Sequence, residues 1–193
     1  MRAERYAGQV STGSRLSTSV LLTCAAIGVA TGVVSAGAGA VSGVVSAAVP
    51  VLYGLVLGVH VLPGVIAQVL LRMPWVALIS HLLAALVASA FVPPWIGRYI
   101  GTAILIGGLQ ELIAATGRYR RWETWRYFVS AVIVGVVLAV PIALVADLGR
   151  FEPWAQVVYI AMFIVGPVAW SAAAVAIGEA LRRTGVGRTA RRR

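Results

Sequence analysis

The chain has 193 residues, 60% of them hydrophobic and 11% charged, and its net charge of +10 is carried by arginine alone among the basic side chains. That composition excludes a soluble domain of this size. From Leu16 to Leu71, 56 residues pass without a single Asp, Glu, Lys or Arg, and one crossing of a hydrocarbon core of roughly 30 Å needs only about 20 residues, so this run holds two membrane helices and a turn.

The breaks able to serve as loops are Ser46–Pro50, Arg72–Pro74, Val92–Arg98, Gly117–Arg126 and Asp147–Pro153. They predict six helices near 17–44, 51–71, 75–91, 99–116, 127–146 and 154–181. Backbone polar groups in lipid must be satisfied within their own segment, which favours helices over open strands, and no segment alternates with the two-residue period of a barrel strand. The expected fold is an all-α integral membrane protein with six transmembrane helices and both termini cytoplasmic. It comprises a basic N-terminal segment (1–16), a membrane domain (17–181) and an Arg-rich cytoplasmic tail (182–193), in the cell membrane.

Helix 1 opens with Arg2, Arg5 and an apolar stretch reminiscent of a signal peptide, but the stretch is too long for one. Leu21-Leu22-Thr23-Cys24 hints at a lipoprotein box, although Thr is poorly suited to the position before the cysteine. One cysteine permits no internal disulfide, so Cys24 is expected to pack as a small apolar side chain. Gly28, Gly32, Ala36 and Ala40 recur every four residues, with Ala26 and Ala30 as a second pair. Such a stripe lets another helix backbone approach closely. Its occupant is either a helix of the same protein or another membrane subunit.

Arginine sets the orientation. With six helices and both termini inside, the inner segments hold 14 of the 16 arginines and the outer ones only Arg98 and Arg150, as the positive-inside rule requires. The basic tail Arg188–Arg193 then faces anionic lipid. No nucleic-acid partner is implied, because no reading module accompanies the charge.

Polar residues inside the apolar segments are costly unless paired or facing a cavity. His60, His81, Gln110 and Glu111 qualify, on three helices and, at about 1.5 Å per residue, all near mid-depth. They are expected either to form one central polar site or to satisfy one another, with Glu111 pairing a histidine. Nothing suggests an enzyme: the two histidines are 21 residues apart with no companion ligands for a metal, and no nucleophile elbow, phosphate loop or Walker motif occurs. No cofactor is expected, and uphill transport needs a partner that supplies energy.

Several strings carry a resemblance: Tyr53-Gly54-Leu55, Arg72-Met73-Pro74, Ala77 through Val87, and Gly108-Leu109-Gln110-Glu111-Leu112 through Arg118-Tyr119-Arg120-Arg121-Trp122. Over roughly residues 45–126 the chain resembles the substrate-binding S component of energy-coupling factor (ECF) transporters, of the YkoE type associated with thiamine and hydroxymethylpyrimidine. The resemblance implies a six-helix subunit whose helix 1 meets a T component, and whose pocket lies in the outward half under the loops at 46–50, 92–98 and 147–153. It also implies that Glu111 faces the ligand. His81 stands where that type carries an acid in helix 3, and the Gln110-Glu111 stretch is three residues shorter than theirs. Tyr53, Trp95, Tyr99, Trp154 and Tyr159 near the outer face are expected to stack on a flat heterocycle or to anchor the interface.

The expected function is capture of a small vitamin-like molecule, with a T component and two ATPase subunits as partners. A solitary proton-coupled carrier and a structural subunit without ligand are the alternatives.

Overall fold

The computed structural model describes residues 16–186. The basic segment up to Arg15 and the run Arg188–Arg193 lie outside the described residues, so the expectations placed on them are not addressed by the fold. Every regular element among the described residues is helical.

Helix α1 (Thr18–Ala48) starts at Ser17, whose side chain accepts from the Val20 amide and so caps one of the otherwise unpaired first-turn donors. The next apolar segment, expected as one helix over 51–71, is broken. A 3-10 turn (Pro50–Leu52) leads into a short α2 (Tyr53–Leu57), a second 3-10 turn (Gly58–Val61) and then α3 (Leu62–Leu71). The reason lies in Gly54, Gly58 and Pro63. Proline supplies no amide to the preceding turn, and the two glycines let this segment press against the backbone of the last helix near Phe163 and Gly166, where a Cβ on Gly54 would stand 2.5 Å from the Phe163 nitrogen.

Helix α3 is buried at every residue and forms the axis of the molecule. It ends at Arg72 in the left-handed region, and Trp75, also left-handed, opens α4 (Val76–Phe91). A 3-10 turn (Pro93–Trp95) precedes α5 (Ile96–Thr116). Arg118 and Tyr119, both with positive φ, end that helix and turn the chain toward α6 (Thr124–Val145). Arg126 donates to the Ile113 carbonyl near the end of α5 and pairs with Glu123 at 3.0 Å, placing a cation where the helix dipole favours one. A last 3-10 turn (Leu148–Arg150) leads to α7 (Pro153–Arg183).

Five segments are long and apolar enough to cross a membrane: α1, Pro50–Leu71, Pro93–Thr116, α6 and α7. Helix α4, with 16 residues, is shorter. At about 1.5 Å per residue it spans roughly 24 Å. Leu144, Val145 and Val157 are among many apolar side chains left on the outer surface of this bundle, which is the surface expected of a protein solvated by lipid. The chain is a multi-pass integral membrane protein.

Helix α1 packs along α4, and the helix-1 stripe splits there. Gly28 and Gly32 face inward: a Cβ on Gly28 would stand 2.6 Å from Leu83 Cβ, and one on Gly32 2.7 Å from the Ala84 carbonyl oxygen. Ala36 is half-buried against the cluster of Ala85, Ala88, Tyr99 and Ala103. Ala26, Ala30 and Ala40 are exposed on the other side of the helix. Cys24 is fully buried among Val20, Ile27 and α3.

Candidate functional site

His60 sits on the 3-10 turn before α3, where the break in the helix directs it toward α5, and its ring lies edge-on to Tyr99 at 6.5 Å. His81, one and a half turns into α4, is 3% exposed. These two imidazoles line one cavity together with Ser35 of α1, Pro63, Ala84, Ala85, Tyr99, Thr102 and Ala103. The cavity has room for the centres of one or two water molecules, about 20 Å³.

His81 is fixed by a polar ladder. Its Nε2 lies 2.9 Å from Gln110 Oε1, while Gln110 Nε2 donates to the Val61 carbonyl at 3.2 Å. Because the amide nitrogen is committed to a carbonyl, the amide oxygen is the atom that meets His81. A neutral His81 therefore carries its proton on Nε2 and offers Nδ1 as an acceptor. Gln68 Nε2 donates in turn to the Gln110 backbone carbonyl at 3.2 Å, so a buried amide pair stands behind His81, and both amides line a second small pocket toward Arg126 and Tyr127. Gly64 makes this possible: a Cβ there would stand 2.7 Å from His81 Nε2 and would collide with Gln110 Oε1. Gly107 bounds the ring on another side, with a would-be Cβ 3.2 Å from His81 Cδ2.

The Glu111 carboxylate does not join the histidines. Its Oε1 accepts from the Ala77 amide at 2.8 Å and its Oε2 from the Trp75 amide at 3.0 Å, capping the otherwise unpaired donors at the start of α4. Adjacent helical residues project about 100° apart; with Gln110 turned to His81, Glu111 turns to the next helix. Tyr119 of the α5–α6 turn reaches the same carboxylate, and burial followed by the charge of Glu111 holds its hydroxyl above the usual phenol range. The expected pairing of Glu111 with a histidine is thus replaced by a backbone cap, and the histidine that pairs does so with Gln110.

At the opposite end of the bundle Arg98 Nη2 donates to the Tyr53 hydroxyl at 2.8 Å and its guanidinium lies 5.4 Å from the Trp95 ring centre. Trp95 in turn lies 6.3 Å from Tyr99, whose buried hydroxyl has no hydrogen-bond partner. Of these aromatics Tyr99 alone lines the cavity. Tyr53 packs on Phe163 at 6.0 Å in the same core cluster as Tyr159, which packs on Phe163 and Phe151. Trp154 is 66% exposed at the start of α7.

Reading the sequence missed Gln68, Gly64, Ser35, Thr102 and Arg98. Gln68 carried a signal, since it is an amide inside the uncharged run, two helical turns beyond His60. Arg98 was counted for topology only. Nothing in the sequence marked Ser35 or Thr102, because single hydroxyls in apolar helices commonly bond their own backbone.

Fold and site together define a class: a multi-pass helical membrane protein with a small cavity among its helices, lined by two imidazoles and the hydroxyl-bearing side chains of Ser35, Tyr99 and Thr102. Residues 20–137 match the family described as the permease component of ABC-type cobalt transport systems. The chain belongs to that family. Its fold is that of a crystal structure described as an S-component of an ECF transporter, with a TM-score of 0.79 and 19% sequence identity over 89% of this chain and 88% of that one. Comparison with curated proteins gave no match.

Proposed function

We propose that the chain is the substrate-binding S component of an ECF-type transporter. It captures a small organic molecule from outside the cell and delivers it when a T component and two ATPase subunits drive its reorientation. The observation that supports this most is the coincidence of an S-component fold over nearly the whole chain with a cavity lined by two imidazoles and by Ser35, Tyr99 and Thr102. In this reading α4 is the sixth crossing, 17–181 is the membrane domain, and the Arg-rich ends face the cytoplasm.

By its resemblance to the YkoE type, the ligand is thiamine or hydroxymethylpyrimidine. In this reading a flat heterocycle stacks on Tyr99 beside His60 and His81, and the helices part to admit it, since the cavity as it stands has room for one or two water molecules. The family description names cobalt, but among the described residues no group of three His, Cys, Asp or Glu stands ready for a metal ion. Protein ligands holding a divalent transition ion ordinarily number at least three. Glu111 supports the site through α4, and the exposed Ala26, Ala30 and Ala40 are the part of the stripe open to a T component.

The experiment is affinity purification of the tagged chain from its own host, followed by transport in liposomes. Co-purification with T and ATPase subunits, and uptake of the pyrimidine only with them and ATP, is the expected result. Uptake by the chain alone would make it a solitary carrier, and binding of Co²⁺ with no heterocycle bound would make it an ion-binding subunit.

A further inference from the structure

Two cavities of water size lie one behind the other along α5. The first is lined there by Tyr99, Thr102 and Ala103, the second by Gln110, Ile113 and Ala114, so about 11 residues, or roughly 16 Å of helix, separate their centres. Helix α3 repeats the order, with Pro63 on the first and Gln68 on the second. The second has room for the centre of one water molecule, about 10 Å³, and reaches the exposed Arg121 of the α5–α6 turn.

Each cavity is lined by a tyrosine, Tyr99 or Tyr127, whose buried hydroxyl has no hydrogen-bond partner among the described residues. Buried polar groups ordinarily meet a protein group or an ordered water. Both spaces have the size and the polar lining that a water needs: Ser35, Thr102 and His81 in the first, Gln68, Ser130 and Arg126 in the second.

One contact divides them. His81 lines the first cavity, Gln110 the second, and their side chains meet at 2.9 Å. Gln110 is 1% exposed and is held from a second side by the Val61 carbonyl at 3.2 Å. Its side chain stands where a water would have to pass. Its amide, unlike an imidazole, does not titrate near neutral pH, so a proton carried along waters and His81 stops there. Polar groups that line up through a membrane protein are otherwise a route for protons.

We propose that both cavities bind water and that Gln110 is the seal between the two halves of one axial water path, keeping the protein tight to protons. Such a seal acts whatever solute the subunit carries, and it needs neither ligand nor partner.

The test is proton flux into liposomes that bear the purified full-length protein, enclose a pH-sensitive dye and are driven by a potassium gradient with valinomycin. Wild type should match protein-free liposomes within about twofold, whereas Gln110→Ala, which joins the two spaces, should raise the flux about tenfold or more. Ala114 lies one turn further along the same face of α5 and lines the second cavity. Adding Ala114→Leu to Gln110→Ala should refill the gap and return the flux to within about twofold of wild type. If Gln110→Ala does not yield monodisperse protein, Gln110→Asn, one carbon shorter, takes its place with the same expectation. Equal fluxes from wild type and the folded variant would overturn the seal. So would a leak that Ala114→Leu leaves unchanged, because that leak comes from loosened packing. The waters are read separately by radiolytic footprinting, which oxidises side chains beside bound water. Corrected for intrinsic reactivity, Tyr99 and Tyr127 should react at least about threefold faster than the equally buried Phe163; equal rates would remove the waters from both cavities.

Discussion

At the scale of single residues, the site depends on a glycine as much as on its polar groups. Gly64 lies on the fully buried α3, and adding one methyl there would drive a carbon into the His81–Gln110 contact. Overpacking of this kind costs about 1–3 kcal/mol. Gly64→Ala should therefore lower the thermal midpoint in detergent and weaken ligand binding by about tenfold or more, measured on the fraction that remains folded. Binding unchanged from wild type would show that His81 works without its amide partner. Glu111 has the opposite profile: it is the acid that the sequence marked most strongly, yet its oxygens close the first turn of α4. Glu111→Gln keeps one acceptor but loses the charge that complements the helix N-terminus, a loss of about 1–2 kcal/mol. Its signature is a lower midpoint with an affinity change smaller than that of Gly64→Ala. An affinity loss larger than the loss of stability would return Glu111 to the ligand.

At the scale of elements, the small residues of α1 separate into two faces that share one four-residue spacing. Gly28 and Gly32 let α4 approach, and through α4 they hold His81; Ala26, Ala30 and Ala40 face outward. Gly32→Leu would push side-chain atoms into the Ala84 carbonyl and Val87, so it should abolish folding, detergent-stable monomer and ligand binding together. Ala30 is exposed, so Ala30→Leu points its added atoms away from the core. It should leave ligand affinity within about twofold while eliminating co-purification of the T component and uptake. Uptake by Ala30→Leu at the wild-type level would assign docking to another face. Periodicity revealed that a flat stripe exists, but two nearly opposite faces of a helix, offset by two residues, both satisfy spacings of four, and only the position of α4 distinguishes them. The same limit explains the second segment. Its apolar content predicted a membrane helix, whereas the 3-10 turn that aims His60 arises from the contact of Gly54 and Gly58 with α7, a partner more than 100 residues away.

At the scale of the molecule, the helical class and most boundaries were legible because lipid imposes them directly: long apolar runs must be helices, and charged or Pro-rich breaks must be their ends. The joining of His60, His81 and Gln110 was legible only as a shared mid-depth, which also took in Glu111, since depth fixes one coordinate and rotation about each helix fixes the other. Orientation belongs to this scale too, and the asymmetry of 14 arginines against 2 makes a prediction that the fold constrains further. Turns 72–75 and 117–119 meet at Glu111, and Tyr53 meets Arg98, so the loops fall into two sets at opposite ends. If the Arg-rich set is cytoplasmic, a cysteine at Gly97 or Gly149, both with open space around them, should react with an impermeant maleimide in intact cells. A cysteine at Ala190 should react only after the cells are opened. The native Cys24 is fully buried and contributes no background. Labelling of Ala190→Cys from outside would invert the subunit or make the number of crossings odd. Inversion would place Arg98 and Trp95 on the wrong side of the membrane for capturing a solute from outside, whereas an odd count would change which loops share a side, as the labelling at Gly97 and Gly149 reads directly.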